Sequence, residues 1–219
     1  RYTPDDEDPY RSVQIIGGFQ RLALTDLGNA ERLVRRYGDE LRYCYEVGSW
    51  FLWKENRWII DSGAKSQEFA QRTVRAIRFE ADAEPDSKGK AAVAKHARAS
   101  EANSRMNAML SQAQSMRPVC VTDLDADQWI LNVANGMLDL RQFSLLKHDR
   151  ARLLTKLAPV EYDAEAACPR WHEFLNTIMC DRIELVDFLK KVIGYALTGD
   201  TSEQVFFILY GSGMNGKST

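Results

Sequence analysis

The sequence predicts an α+β chain: a mainly helical N-terminal module with short β-hairpins, then the first strand and glycine-rich loop of a truncated α/β domain. Three observations predict it. Apolar residues recur at helical spacing, as at Ala70, Val74, Ile77 and Ala81. Turn residues divide shorter apolar runs into hairpins, as Asn135-Gly136 does between WILNV and MLDL. Near the far end an unalternating apolar run, residues 205–210, leads into Gly211-Ser212-Gly213-Met214-Asn215-Gly216-Lys217-Ser218.

Composition sets the bounds. With 219 residues and 45% hydrophobic content, the chain can fill one sizeable core or two small ones. A formal net charge of −2 excludes a protein that coats nucleic acid through bulk charge, although local patches are compatible with it. Cys44, Cys120, Cys168 and Cys180 form no C-x-x-C pair and no secretory segment precedes them, so reduced thiols in the cytoplasm are the expectation. Cys168 and His172 share helical i,i+4 spacing with Cys180 beyond, but a zinc site would need a fourth ligand that the sequence does not identify. No apolar stretch approaches the roughly 20 residues that span a bilayer. A soluble protein with no membrane partner is expected.

Residues 1–20 read as a linker. Asp5, Asp6, Glu7 and Asp8 sit between Pro4 and Pro9 without periodicity, which favours a solvated tail over a metal site. Thr25-Asp26-Leu27-Gly28-Asn29 offers helix-start chemistry, Leu33, Val34 and Tyr37 an apolar face, and Gly38 a stop. LRYCYEV follows, and then a hairpin: residues 50–53, a polar turn at Lys54-Glu55-Asn56, and residues 58–60. Trp50, Trp53 and Trp58 could stack on bases, but filling a small core is the commoner use of such residues.

A helix is expected from Ser66, as its cap, to about Glu80. Residues 82–90 break it. The Ala-rich segment 91–116 carries Ala102, Met106, Met109, Ala113 and Met116 at 4-3-4-3 spacing, a narrow seam for another helix in this chain or a partner. Lys88, Lys90, Lys95, Arg98, Arg105 and Arg117 outnumber the acids there, which admits a DNA-facing surface or an ordinary solvated face. Pro118 ends this segment, TKLAPVEYD is a candidate extra strand, and two helices follow. Pro169 opens the first, with Trp171, Phe174, Leu175 and Ile178 at i, i+3, i+4, i+7. Asp181 and Glu184 read as a capping box for the second, whose stripe runs through Leu185, Phe188, Leu189, Val192, Ile193 and Ala196 to a stop at Gly199.

Residues 211–218 read G-x-x-x-x-G-K-S, the phosphate loop of nucleoside triphosphatases. Gly211 and Gly216 permit backbone angles and close approach that a Cβ would block. Successive backbone N–H groups then form an anion nest, Lys217 reaches the β- and γ-phosphates, and the Ser218 hydroxyl ligates Mg²⁺. The motif needs a strand before it and a helix after it. Residues 205–210 suit a parallel strand covered on both faces. The helix would lie past Thr219, and with the chain opening on Arg1 both ends read as cut.

Taken in order, TDLGNAERLVRRYGDELRY, the W-x-W…RW hairpin, LNVANGMLDL, LLTKLAPVEYD, CPRWHEFL, GYALTGDTSEQVFFILYG and GSGMNGKST resemble the helicase half of the phage and plasmid primase–helicase family, which includes the satellite-phage and poxvirus-type enzymes. The resemblance runs from about Leu24 to Thr219. It implies a superfamily-three DNA helicase. Such an enzyme is a homo-oligomeric ring, usually a hexamer, that hydrolyses ATP with Mg²⁺ at subunit interfaces and moves on single-stranded DNA at the replication fork. The resemblance also implies the division of the chain. Residues 21–165 become a pre-helicase module, 166–203 a helical collar segment, and 204–219 the start of a truncated P-loop (AAA+-like) ATPase domain. By the match, Gly211, Gly213, Asn215, Gly216, Lys217, Ser218 and Thr219 bind the nucleotide, with Lys217 the catalytic residue and Ser218 the metal ligand. The family's loop often has Pro and a small residue where Ser212 and Met214 stand, both variable positions. Its second acidic motif, sensor asparagine and arginine finger would lie beyond Thr219.

Two alternatives stand beside this reading: a non-enzymatic DNA-binding or oligomerising module, and a different P-loop ATPase sharing only the loop. Without the helix that supplies the positive dipole, the 219 residues alone are expected to bind nucleotide weakly and to turn over none.

Overall fold

The computed structural model of the chain describes residues 22–210. The linker reading of residues 1–20 and every residue from Gly211 to Thr219 lie outside the described residues. Among those described, six α-helices and two three-stranded antiparallel sheets make an α+β fold. Two compact units divide at Leu124 and Asp125. That division falls inside the span 21–165 that the sequence reading joins into one module. Its cause is local pairing. Backbone groups beyond residue 124 bond among themselves, Asp125 N–H to Leu153 O at 3.2 Å and Ala158 N–H to Asn132 O at 2.9 Å.

The first unit is built on α1 (Asp26–Tyr37), β1 (Leu41–Cys44), β2 (Ser49–Lys54), β3 (Arg57–Ile60), α2 (Lys65–Ala76), α3 (Ser87–Ser100) and α4 (Asn103–Gln114). Thr25 caps α1 as its sequence predicts, Oγ1 accepting from Gly28 N–H at 3.1 Å, and Gly38 closes it. The tryptophan hairpin forms with Trp53 opposite Trp58 and Glu55 in the left-handed region at φ 56°. Leu41, Trp50 and Leu52 share one sheet face and pack with Leu33, Phe69, Val74, Ile77, Val93 and Met109 in a single core.

Three sequence expectations are corrected here. Ser66 does not cap α2. Asp61 does, accepting from Lys65 N–H and Ser66 N–H, both at 2.8 Å, and from the Ser66 hydroxyl at 2.6 Å. The reach from Asp61 is set by Ala64, which turns the chain at φ 56°. The α-helix also ends at Ala76, giving way to a 3₁₀ segment, Ile77–Ala83, rather than running to Glu80. Residues 91–116 are not continuous either. Ala102 adopts extended backbone at φ −63°, ψ 135°, so the helical bonding of α3 ends at Ser100 and that of α4 starts at Asn103.

The second unit holds β4 (Ile130–Val133), β5 (Gly136–Asp139), β6 (Ser144–Leu146), α5 (Pro169–Ile178) and α6 (Ile183–Ala196). The β4–β5 hairpin forms, but Val133 pairs with Gly136, so Ala134 and Asn135 make the turn and Gly136 opens the strand. Glycine is required there for proximity: a Cβ would stand 2.5 Å from the Leu146 carbonyl oxygen of β6. TKLAPVEYD adds one parallel bridge, Val133 with Ala158, rather than a strand.

Pro169 opens α5 as read, but the Asp181–Glu184 capping box is absent. Cys180 and Asp181 turn at φ 51° and 57°, the Asp181 N–H bonds back to Asn176 O, and Arg182 begins α6 without a side-chain cap. Residues 205–210 form no strand: all six are exposed, Phe206 at 83% and Tyr210 at 91%. A parallel strand needs neighbours to take its backbone groups, and no described strand pairs with this run.

Candidate functional site

The predicted nucleotide residues, Gly211, Gly213, Asn215, Gly216, Lys217, Ser218 and Thr219, lie outside the described residues, which lead up to them. The lead is α6. It places Val186 in the second unit's interior and leaves Ile183, Leu185 and Phe188 exposed, with Phe207 edge-on to Phe188 at 6.3 Å between ring centres. Just after α6, Gly199 donates its N–H to Gln128 O at 2.8 Å, and a Cβ at Gly199 would meet Gln128 Cβ at 2.9 Å. Glycine thus ties the end of α6 to the start of the second sheet.

The tryptophans serve the fold. Trp50 and Trp58 are buried, Trp50 edge-on to Tyr43 at 5.1 Å and Trp58 edge-on to Trp53 at 5.7 Å, with the Arg42 guanidinium over the Trp58 ring. Neither buried indole face is open to a base. The methionine seam is likewise turned inward. Met109 and Ala113 are fully buried in the first unit's core, where α4 packs on α1, which removes the sequence motive for an oligomerising seam.

The basic residues divide into two groups. Arg105 and Arg117 belong to ion pairs, with Asp26 at 3.7 Å and Asp39 at 3.2 Å. Lys88, Lys90, Lys95 and Arg98 are exposed on α3 and, among the described residues, form no ion pair.

Sequence reasoning passed over a polar cluster inside the first unit. Asn29 Nδ2 donates to Ser100 Oγ at 3.0 Å, and Asn29 Oδ1 accepts from His96 Nε2 at 2.9 Å, which fixes the Nε2–H tautomer. All three are buried, so Ser100 meets no substrate and the set joins α1 to α3 rather than performing chemistry. Burial holds the His96 pKa below its usual value, assisted by Arg32 and Arg105 and opposed by Asp26 and Glu80. The available signal was His96 and Ser100 at i,i+4 on the face that also carries Val93 and Ala97.

In the second unit a cavity of about 230 Å³ is walled by Ile130, Leu131, Leu154 and Leu157, with Asp125 and Asp127 at its edge. Both carboxylates are already engaged. Asp125 caps Thr155 through N–H and hydroxyl, and Asp127 accepts from Trp129 N–H and Arg141. Burial opposes the Asp127 charge, but these donors, with Arg152, hold its pKa below the usual carboxylate value. Cys168 Sγ stands 3.4 Å from His172 Nε2, and among the described residues no three His, Cys, Asp or Glu side chains gather where an ion could bind. No described helix is long and apolar enough to cross a membrane.

Residues 30–180, which span both sheets and α5, match the family described as D5 N terminal like. The chain belongs to this family. D5 N terminal like regions are the N-terminal part of the D5 primase–helicases, the phage and plasmid group that the ordered motifs resemble. The match stops short of α6 and of the G-x-x-x-x-G-K-S motif, so it bears on the α+β module alone. Among curated proteins, none matches the chain.

Proposed function

We propose that this chain is the pre-helicase region and phosphate loop of an ATP-dependent replicative DNA helicase. The observation that carries the reading is order: a D5 N terminal like region at 30–180, then an apolar run, then G-x-x-x-x-G-K-S. In this reading the α+β units serve as collar and support, and residues 204–219 begin the ATPase domain.

The role of each loop residue follows from its chemistry. Backbone N–H groups from Gly211 to Gly216 would cradle phosphate oxygens, and Asn215 would fix the turn that presents them. Lys217 would place one ammonium group at the transferring phosphoryl, where charge spreads over oxygens in the transition state. Ser218 would offer its hydroxyl to Mg²⁺, and Thr219 would bond the α-phosphate. Bound Mg²⁺ supplies charge neutralisation. Hydrolysis would need, in addition, an acidic strand end and an arginine from a neighbouring subunit, in keeping with a homo-oligomeric ring.

The test is retention of ATP with Mg²⁺ by the polypeptide of the whole reading frame, followed with a fluorescent ATP analogue. Lys217→Ala should weaken retention at least tenfold and abolish turnover. Unchanged retention in that variant would sink the reading.

A further inference from the structure

We propose that the outward face of α3, formed by Lys88, Lys95 and Arg98, binds the phosphate backbone of DNA. This rests on the reading of DNA as the chain's partner and names where the described residues would meet it.

Geometry selects these three cations from the six that the sequence offers. At about 100° per residue, Lys88, Lys95 and Arg98 fall within roughly 80° of one another. The buried residues of the helix, Val93, His96, Ala97 and Ser100, occupy the opposite side. Lys90 falls on the flank of the helix, and Arg105 and Arg117 are held by Asp26 and Asp39. Between the three cations the surface carries exposed Ala91 and Ala99, small enough to let a polymer backbone come close. The stripe spans ten helical steps, about 15 Å at 1.5 Å each, long enough to meet several successive phosphates of one strand.

Charge placement argues that the stripe does not exist for the fold. A solvated helix face ordinarily sets Glu or Asp three or four residues from Lys to gain a few tenths of a kcal/mol. The helix SKGKAAVAKHARAS has four exposed cations and no acid, in a chain whose acids outnumber its lysines and arginines, 31 to 29. Lys88 stands in the first turn, where the helix dipole disfavours positive charge. Of the neighbouring acids, Asp86 caps Gly89 N–H, and Glu84 lies against Gly89, about 100° around the helix from Lys88. Glu101, the C-cap residue three positions past Arg98, falls about 60° from it on the side away from Lys88 and Lys95, and no ion pair joins the two. Three exposed cations that no carboxylate engages among the described residues suit an anion that repeats at fixed spacing.

The experiment uses the full chain and a labelled single-stranded oligonucleotide, with affinity followed by anisotropy between 50 and 200 mM salt, conditions of the kind used to count phosphate contacts. In the triple variant Lys88→Ala, Lys95→Ala, Arg98→Ala, affinity at low salt should fall about tenfold or more. The slope of log K against log salt should shrink by about 2 to 3, equally on two unrelated sequences. Lys54→Ala, at the exposed end of β2, should change neither. An unchanged slope in the triple variant, with wild type binding, overturns the proposal and leaves the DNA reading intact. Wild-type affinity for polyglutamate equal to that for DNA overturns it in favour of an acidic protein partner. Wild type without DNA affinity at 50 mM salt also overturns it, and the ATP-retention test at Lys217, which these residues do not touch, then decides the helicase reading separately.

Discussion

Arg32 is 2% exposed, and a guanidinium so placed must find its partners inside the protein. Its Nε and Nη2 bond to the Glu80 carboxylate, the latter at 2.7 Å, while Nη1 and Nη2 also donate to the carbonyl oxygens of Ala23 and Leu22. One side chain thereby joins α1 to the 3₁₀ segment and to the chain entering α1. Glu80→Ala should lower stability by about 2 kcal/mol in urea unfolding. That is less than the 3–5 typical of fully buried pairs, because Glu80 is 31% exposed and water can replace part of it. His96 gives a pH dependence with a definite sign. Its pKa in the fold is lowered, so as pH falls below about 6.5 the unfolded chain takes the proton first. His96 therefore supports the fold fully above that value, and the support fades as pH drops toward the folded value. The stability difference between wild type and His96→Gln should narrow between pH 7.5 and 5.5. A difference constant over that range would show that His96 does not titrate with unfolding.

At the scale of elements, burial of one face decides more than propensity. The α4 seam has weak helical amphipathicity, yet Met109 and Ala113 are fully enclosed because α1 and α2 close over them. Met109→Ala should open a cavity in that junction and cost about 2 to 4 kcal/mol by urea unfolding. A loss below 1 kcal/mol would show that the junction closes over the smaller side chain. Sequence found most of these elements: the Thr25 cap, the two hairpins, Pro169 at the start of α5. It went wrong where a cap could come from more than one residue. Ser66 and Asp61 are both chemically able to cap α2, and the choice belongs to Ala64 in the left-handed region, which periodicity does not encode. The Asn135-Gly136 pair signalled a hairpin correctly for an incomplete reason, since Gly136 answers the approach of β6 rather than the turn.

At the scale of the molecule the described residues form two compact units, each with buried apolar residues of its own. Among the described residues the first unit's core draws on residues between Ala30 and Ala113, with partly buried neighbours from Leu24 to Met116. Residues 22–124 expressed alone should therefore unfold as one cooperative transition, visible as coincident circular dichroism and fluorescence curves. Non-coincident curves would show that the unit depends on the rest of the chain. The proposed nucleotide site rests on the sequence alone, because the motif that suggests it is a local spacing of Gly, Lys and Ser that refers to no distant residue. The basic face of α3 was half legible. Charge was visible in the sequence, but which cations had already found carboxylates was not.

By itself the sequence determined the α+β class, most helix and strand positions, and the ordered motifs that mark the family, because periodicity, turn chemistry and motif spacing act over a few residues. Only the tertiary structure decided that the division falls at Leu124 and Asp125, that the methionine seam faces inward, and that Asp61 rather than Ser66 caps α2. Each of these depends on which surfaces meet across tens of residues, and the burial and hydrogen bonds that settle such meetings are properties of packed neighbours, not of any stretch read alone.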